Sequence, residues 1–304
     1  MAPPLAGLWP PVATPFRADR SVDETRLMQH SKQLLADGAH GLAILGTTSE
    51  ANSLTLDERR RVIDVHVENG IAPERLLPGT GACALGDAIA LSRHAGGLGA
   101  AGVLLLPPFY YKKVSDEGLY EFVARIIEGC GAAAPRLMLS HIPPIAVVGW
   151  SEALVGRLVE AFPEVVIGMK DSSGDKANTL SLIRAFPGLA IFPGAESYLL
   201  EALRAGAAGC ISASANVNAA GIRALLDGWQ SPDADALQAT LNAVRSAVER
   251  GSLIQSVKAV LAARYGEATW LTVRPPLMPL NDAGRESLLS DPAIVTLLGR
   301  DESG

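Results

Sequence analysis

Cysteine is scarce in this chain of 304 residues: only Cys83, Cys130 and Cys210 occur. The three are odd in number, far apart and without a C-x-x-C pair, which excludes a disulfide framework and a zinc ribbon and makes free buried thiols the expectation. Histidine is sparse too, with five residues, and no H-x-x-H or H-E-x-x-H spacing occurs, so the sequence carries no metal-ligand pattern. A G-x-S-x-G elbow is missing, against a serine hydrolase. Gly79-Thr80-Gly81 is no nucleotide loop, because Ala84 stands where a third glycine belongs. Basic clusters are lacking too, and the formal net charge is −6, which speaks against nucleic acid or an anionic membrane as a partner. Long apolar runs are absent: Val103-Leu104-Leu105-Leu106 falls far short of the roughly 20 residues of a membrane span. Met1-Ala2-Pro3-Pro4-Leu5 has neither a basic region nor a long apolar one, so no signal peptide is expected, and the expected compartment is the cytoplasm.

What is present is a well-mixed globular composition. Hydrophobic residues make up 48% and charged residues 19%, which excludes a disordered chain. Short runs rich in Val, Ile and Leu recur at Gly7–Phe16, Gly41–Thr47, Arg75–Gly81, Gly102–Phe109, Arg136–Ile142, Val165–Ser172, Leu189–Gly194 and Gly209–Ala213. They are apolar on both faces, as strands of a covered parallel sheet are. Between them lie segments of helical period, at 23–35, from Thr55 onward, and at about 84–97, 116–129, 151–161, 176–185, 197–206 and 217–228. The second opens with Thr55 and carries Glu58 three positions on, a capping-box signature. Strict alternation gives an α/β fold, and this number of units in this length predicts a (β/α)8 TIM barrel rather than a doubly wound sheet. Residues 1–228 are read as the barrel. Residues 229–304 hold no β-run and are read as a C-terminal helical extension packed on it, with helices at 234–250, 254–265 and 283–298 and a break at Pro275-Pro276.

In such a barrel, function sits where the strands end. The polar residues predicted there are Thr47, Thr48, Ser49 and Glu50; Tyr110 and Tyr111; Ser140 and His141; Lys170; Glu196; and Ser212 and Ser214. Lys170 is the most informative. The chain has few lysines, and the others (Lys32, Lys112, Lys113, Lys176 and Lys258) fall in helix-like or loop-like stretches. Lys170 instead closes the strand-like run Val165–Met169. An ammonium there needs a partner or a lowered pKa, and a desolvated lysine is a competent nucleophile toward a carbonyl. Gly168 is expected to leave room beside it. The alternative is a lysine that ends a strand and reaches solvent.

Gly168-Met169-Lys170-Asp171-Ser172-Ser173 resembles the Schiff-base lysine motif of the dihydrodipicolinate synthase/N-acetylneuraminate lyase family. Gly46-Thr47-Thr48-Ser49-Glu50 is similar to that family's pyruvate-carboxylate loop, and Pro108-Phe109-Tyr110-Tyr111 to its tyrosine segment. These motifs run in the family's order from about Gly7 to Ala219. The resemblance implies a class I pyruvate-dependent lyase. Lys170 attacks the keto carbon of a 2-oxo acid, and the resulting iminium serves as the electron sink, with no metal or cofactor. It also implies that Thr47 relays protons, that Thr48 holds the carboxylate and that Tyr111 reaches the neighbouring subunit's site in a homodimer or homotetramer. Glu196, Ile211 and Ser212 are expected to contact substrate. For Glu196 a helix N-terminal carboxylate is the alternative.

Three positions depart from the family pattern. Ser49 replaces a glycine, which removes conformational freedom from the loop. Aligned without gaps, Ser140 stands at the catalytic tyrosine position, where its shorter hydroxyl needs a bridging water. Ile145 stands at the position of the synthase arginine, which removes a bidentate carboxylate clamp. Strand alternation points His141 away from the face of Ser140. These departures favour an aldolase or dehydratase acting on a hydroxy-2-oxo (3-deoxy sugar) acid. The alternatives are a dihydrodipicolinate synthase using aspartate semialdehyde, and a non-catalytic scaffold that has lost the relay.

Overall fold

The computed structural model describes residues 5–299. In its first half β1 (Gly7–Leu8) is followed by α1 (Glu24–Ala36), α2 (Leu56–Glu68), α3 (Leu85–Gly97), β2 (Val103–Leu105) and α4 (Asp116–Cys130). Next come β3 (Leu137–His141), α5 (Pro143–Ala146), α6 (Glu152–Ala161), β4 (Val166–Asp171) and α7 (Lys176–Ala185). The remainder is β5 (Ala190–Pro193), α8 (Leu199–Ala205), β6 (Gly209–Cys210), α9 (Ala215–Gly228), α10 (Ala234–Glu249), α11 (Leu253–Tyr265), α12 (Asp282–Leu289) and α13 (Pro292–Leu297).

Side-chain caps fix several helix starts. Thr55 and Glu58 form the expected capping box on α2, and Asp23, Ser115, Ser151 and Asp175 accept backbone N–H groups at α1, α4, α6 and α7. Each such cap satisfies an otherwise orphaned donor and is worth about 1 kcal/mol.

The strands are parallel and close into a ring. β2, β3, β4 and β5 pair in that order, and β1 pairs β6. Ala208 N donates to Ile191 O (2.9 Å) and Ile211 N to Pro193 O (3.2 Å), which joins β5 to β6. On the other side two extended segments, around Leu42 and Leu76–Thr80, bridge β1 to β2. The links are His40 N to Leu8 O (2.9 Å), Leu77 N to Leu42 O (2.9 Å) and Leu104 N to Pro78 O (2.8 Å). The architecture is therefore a TIM barrel with a helical C-terminus.

Several elements are shorter than the sequence suggests. The run Gly7–Phe16 keeps ladder geometry only over Gly7–Leu8, because Pro10, Pro11 and Pro15 have no N–H to donate. The next two runs survive as the isolated bridges Leu42↔Leu76 and Gly79↔Leu104. Leu45 (φ 61°) and Pro78 interrupt them. The expected helix 283–298 is two helices, since Pro292 starts a new one under an Asp291 cap. Cys83 is exposed, contrary to the expectation for all three thiols, whereas Cys130 and Cys210 are buried.

The barrel interior is a small apolar cluster that includes Trp9, Ala43, Leu77, Leu104, Met138, Phe192 and Ile211. A larger cluster fills the layer between the ring and its helices. A third, built on Val244, Val248, Val257, Val260, Leu261 and Trp270, packs the C-terminal helices onto Ala13 and Val217. Among the described residues no helix is long and apolar enough to cross a membrane.

Candidate active site

Lys170 lies near the C-terminal end of β4, in register with Ser140 of β3 on one side and Phe192 of β5 on the other. Adjacent strands are about 4.8 Å apart, so Ser140 is its immediate neighbour. The two residues line a cavity of about 40 Å³, shared with Thr47, Arg59, Gly79 and Leu104. A larger depression, about 710 Å³, lies among Leu5, Arg136, Val166 and Ala190, where the strands begin. Barrel chemistry is not found at that end.

The Lys170 ammonium forms no hydrogen bond and no ion pair with any described residue. Its remaining accessible surface faces the cavity. Burial pulls its pKa from 10.5 to about 8, Cys210 opposes the fall, and the Arg245 charge adds to it. A pKa near 8 leaves about a tenth of the side chains as free amine at pH 7. Gly168 has a different role from the one its sequence context suggests. A Cβ at Gly168 would lie 2.3 Å from Ala190 O of the neighbouring β5, its register partner, so glycine lets those two strands pair.

Thr47 and Thr48 sit in a turn closed by Ser49 N to Gly46 O (3.1 Å) and Glu50 N to Thr47 O (3.0 Å). Neither threonine hydroxyl has a hydrogen-bond partner among the described residues; Thr47 lines the cavity, whereas Thr48 is buried and does not. Ser49 fastens the turn: its hydroxyl donates to Val12 O (2.5 Å) and accepts from Gly46 N (3.2 Å).

Glu50 adopts a left-handed backbone (φ 56°) and turns its carboxylate inward. There it meets the Lys258 ammonium and accepts from Arg274 N (2.9 Å). Lys258 also donates to Thr272 O (2.8 Å) and lies 4.3 Å from the centre of the Phe16 ring. Burial lowers Lys258 to about 8 while Glu50 holds it up. The C-terminal segment thus clamps the threonine turn, a contact that the sequence did not announce.

The other expected residues lie elsewhere. Glu196, Ile211 and Ser212 are fully buried and do not line the cavity. Both Glu196 oxygens accept from serine hydroxyls, Ser212 and Ser214, and Arg245 of α10 lies 3.7 Å away and donates to Ser212 Oγ (3.0 Å). Serine hydroxyls and the Arg245 guanidinium thus enclose this carboxylate. Ile211 packs in the barrel interior. Tyr110 and Tyr111 are 72% and 74% exposed, edge to face with ring centres 5.3 Å apart, outside the cavity of their own chain. Ile145 is 62% exposed on α5. His141 accepts from Trp150 N (3.1 Å), and its imidazole is held neutral by burial, which Asp171 partly offsets.

Two polar residues of the cavity lining, Asn52 and Arg59, were missed from the sequence. Arg59 is 6% exposed, and its Nη2 donates to Gly79 O (2.8 Å) and Gly81 O (3.1 Å). The signal was there: Arg59 precedes Val62, Ile63 and His66 at helical spacing, a cation on the buried stripe of α2.

A model of the dihydrodipicolinate synthetase family matches residues 4–292. An uncharacterized DapA-like lyase of Chloroflexus aurantiacus is 34% identical over 284 residues, 91% of this chain and 92% of its own. Among solved structures, dihydrodipicolinate synthase from Agrobacterium tumefaciens superposes with a TM-score of 0.88 at 32% identity, covering 96% of this chain and 99% of its own. YagE, an E. coli prophage protein of the dihydrodipicolinic acid synthase family solved in complex with pyruvate, gives 0.85 at 26% identity, with coverage of 97% and 98%.

Proposed function

The chain belongs to the dihydrodipicolinate synthetase family and is one of its lyases, and from that premise we propose that it captures a 2-oxo acid, pyruvate or a derivative, as a Schiff base on Lys170. The free amine adds to the keto carbon, water leaves, and a protonated imine remains. When the bond between C3 and C4 of a 4-hydroxy-2-oxo acid breaks, its electron pair flows into the imine to give an enamine. The 4-hydroxyl loses its proton and becomes a carbonyl. Thr47, whose hydroxyl lies in the lining of the same cavity, passes protons in and out. The Thr48 hydroxyl and the Thr47 and Thr48 N–H groups, which the turn leaves unbonded among the described residues, receive the C1 carboxylate through charge-assisted hydrogen bonds.

The observation that carries this reading is an unpartnered lysine amine, lowered to about 8, opening into a cavity beside Thr47 and Ser140. Two features favour an aldolase or dehydratase on a hydroxy-2-oxo acid over condensation with aspartate semialdehyde. Ser140 carries no phenol to complete a tyrosine relay, and the exposed Ile145 offers no clamp. The protein works as a homodimer or homotetramer in the cytoplasm, with the exposed Tyr111 directed to a second copy. Reduction with borohydride in the presence of pyruvate tests the capture. The Lys170 peptide gains the mass of a reduced pyruvate adduct, and an unmodified peptide ends the proposal.

A second reading, synthase activity, draws on the likeness to the Agrobacterium enzyme. Efficient turnover of pyruvate with aspartate semialdehyde in a coupled assay would establish it over the aldolase reading.

A further inference from the structure

The cavity that holds Lys170 contains a second cation that forms no ion pair with any described residue. Arg59 projects from α2 into the wall formed by Gly79 and Gly81, and it is 94% sequestered, being 6% exposed. Nη2 spends its hydrogens on two backbone carbonyls. Those bonds fix the side chain but leave its charge uncompensated. Nε is buried and has no hydrogen-bond partner. The carboxylate that acts on Arg59 is Asp87 of α3, which is exposed and forms no ion pair with it. Burial lowers the guanidinium only to about 10, so it stays charged at neutral pH.

Buried guanidinium groups are normally paired, because an isolated charge is costly in a low-dielectric interior and the planar fork suits a carboxylate. Asn52 lines the same cavity and adds a neutral amide. The family's usual clamp position, Ile145, supplies no cation. The cavity therefore has both a nucleophile and an unpaired guanidinium in its lining.

We propose that Arg59 is an anion subsite that receives a second carboxylate, at the far end of the 2-oxo acid held on Lys170. The preferred substrate is then a short dicarboxylic 2-oxo acid rather than one with a neutral polyol tail. This rests on the Schiff-base reading and narrows it.

Two probes of equal chain length separate the cases: 2-oxoglutarate, which carries the second carboxylate, and 2-oxopentanoate, which does not. Each is titrated against the full-length protein, and borohydride-trapped Lys170 is quantified by mass spectrometry. Half-maximal trapping by 2-oxoglutarate is expected at a concentration at least about tenfold lower than by 2-oxopentanoate, as for one desolvated charge contact. Arg59→Gln removes that preference by weakening the diacid, whereas a purely structural role would change both probes alike. Equal trapping of the two acids by the unaltered protein overturns the subsite, and this holds even if Arg59→Gln does not fold. Absence of trapping with pyruvate as well refutes the Schiff-base reading instead.

Discussion

Replacing Lys170 by methionine removes a charge that the fold holds at a cost, so the variant is expected to be more stable than the parent. The two side chains are of similar length, and methionine introduces no polar group into the barrel mouth. The ammonium has no partner, and its pKa falls from 10.5 to about 8 through burial, reinforced by Arg245. At about 1.4 kcal/mol per pH unit, that fall is a penalty of about 3 kcal/mol on the charged form, or about 2–3 kcal/mol once water in the cavity screens part of it. The sign follows from linkage. The native state releases its proton near pH 8 and the unfolded chain near 10.5, so the unfolded state binds more protons between them and stability rises with pH in that interval. Below pH 8 both states are protonated and the full penalty applies. Denaturant unfolding of both proteins from pH 6 to 10 isolates the effect, because every other titrating group, Lys258 included, is common to the two. The gap is expected to be about 2–3 kcal/mol in favour of Lys170→Met at pH 6–7 and to shrink steadily above pH 8. A variant no more stable than the parent, or a gap independent of pH, refutes the view of Lys170 as a desolvated, poised amine.

Lys258→Met should act in the opposite direction and cost about 3–5 kcal/mol, because it strands the buried Glu50 carboxylate. Adding Glu50→Leu should recover part of that loss, and a double variant no more stable than the single one would show that the pair is not coupled. Ser140→Tyr places a phenol beside Lys170, its register partner. Exchange of the pyruvate methyl protons with deuterated water, followed by NMR, is expected to quicken by at least about tenfold through the added proton relay. The same ring should weaken trapping of longer 2-oxo acids, and a variant indistinguishable from the parent in both assays would show that Ser140 does not face the reacting carbon.

Much of this molecule is local and could be read along the chain. The strand-like runs, the helices between them and the Thr55–Glu58 cap follow from side-chain period and capping chemistry, which act over a few residues. Misjudged lengths have local causes as well: prolines remove ladder donors from the first run, and Pro292 divides the last helix. Lys170 could be singled out because a lone lysine closing an apolar strand has few structural explanations. Glu196 and Ser212 were expected at the site from the family resemblance, and their mutual hydrogen bond joins two strand ends that the chain alone does not bring together.

The sequence by itself determined an eightfold α/β ring, its helical C-terminal segment and an amine at the mouth, since each depends on neighbours within a turn or a strand. Only the tertiary structure decided who meets whom at that mouth. Glu50 and Lys258 are 208 positions apart, and Arg245 reaches Ser212 across 33. Arg59 shares a cavity with Lys170 because α2 packs against the loop that follows Leu76–Thr80. Charge compensation depends on distance in space, and closing the ring is what turns distance along the chain into proximity.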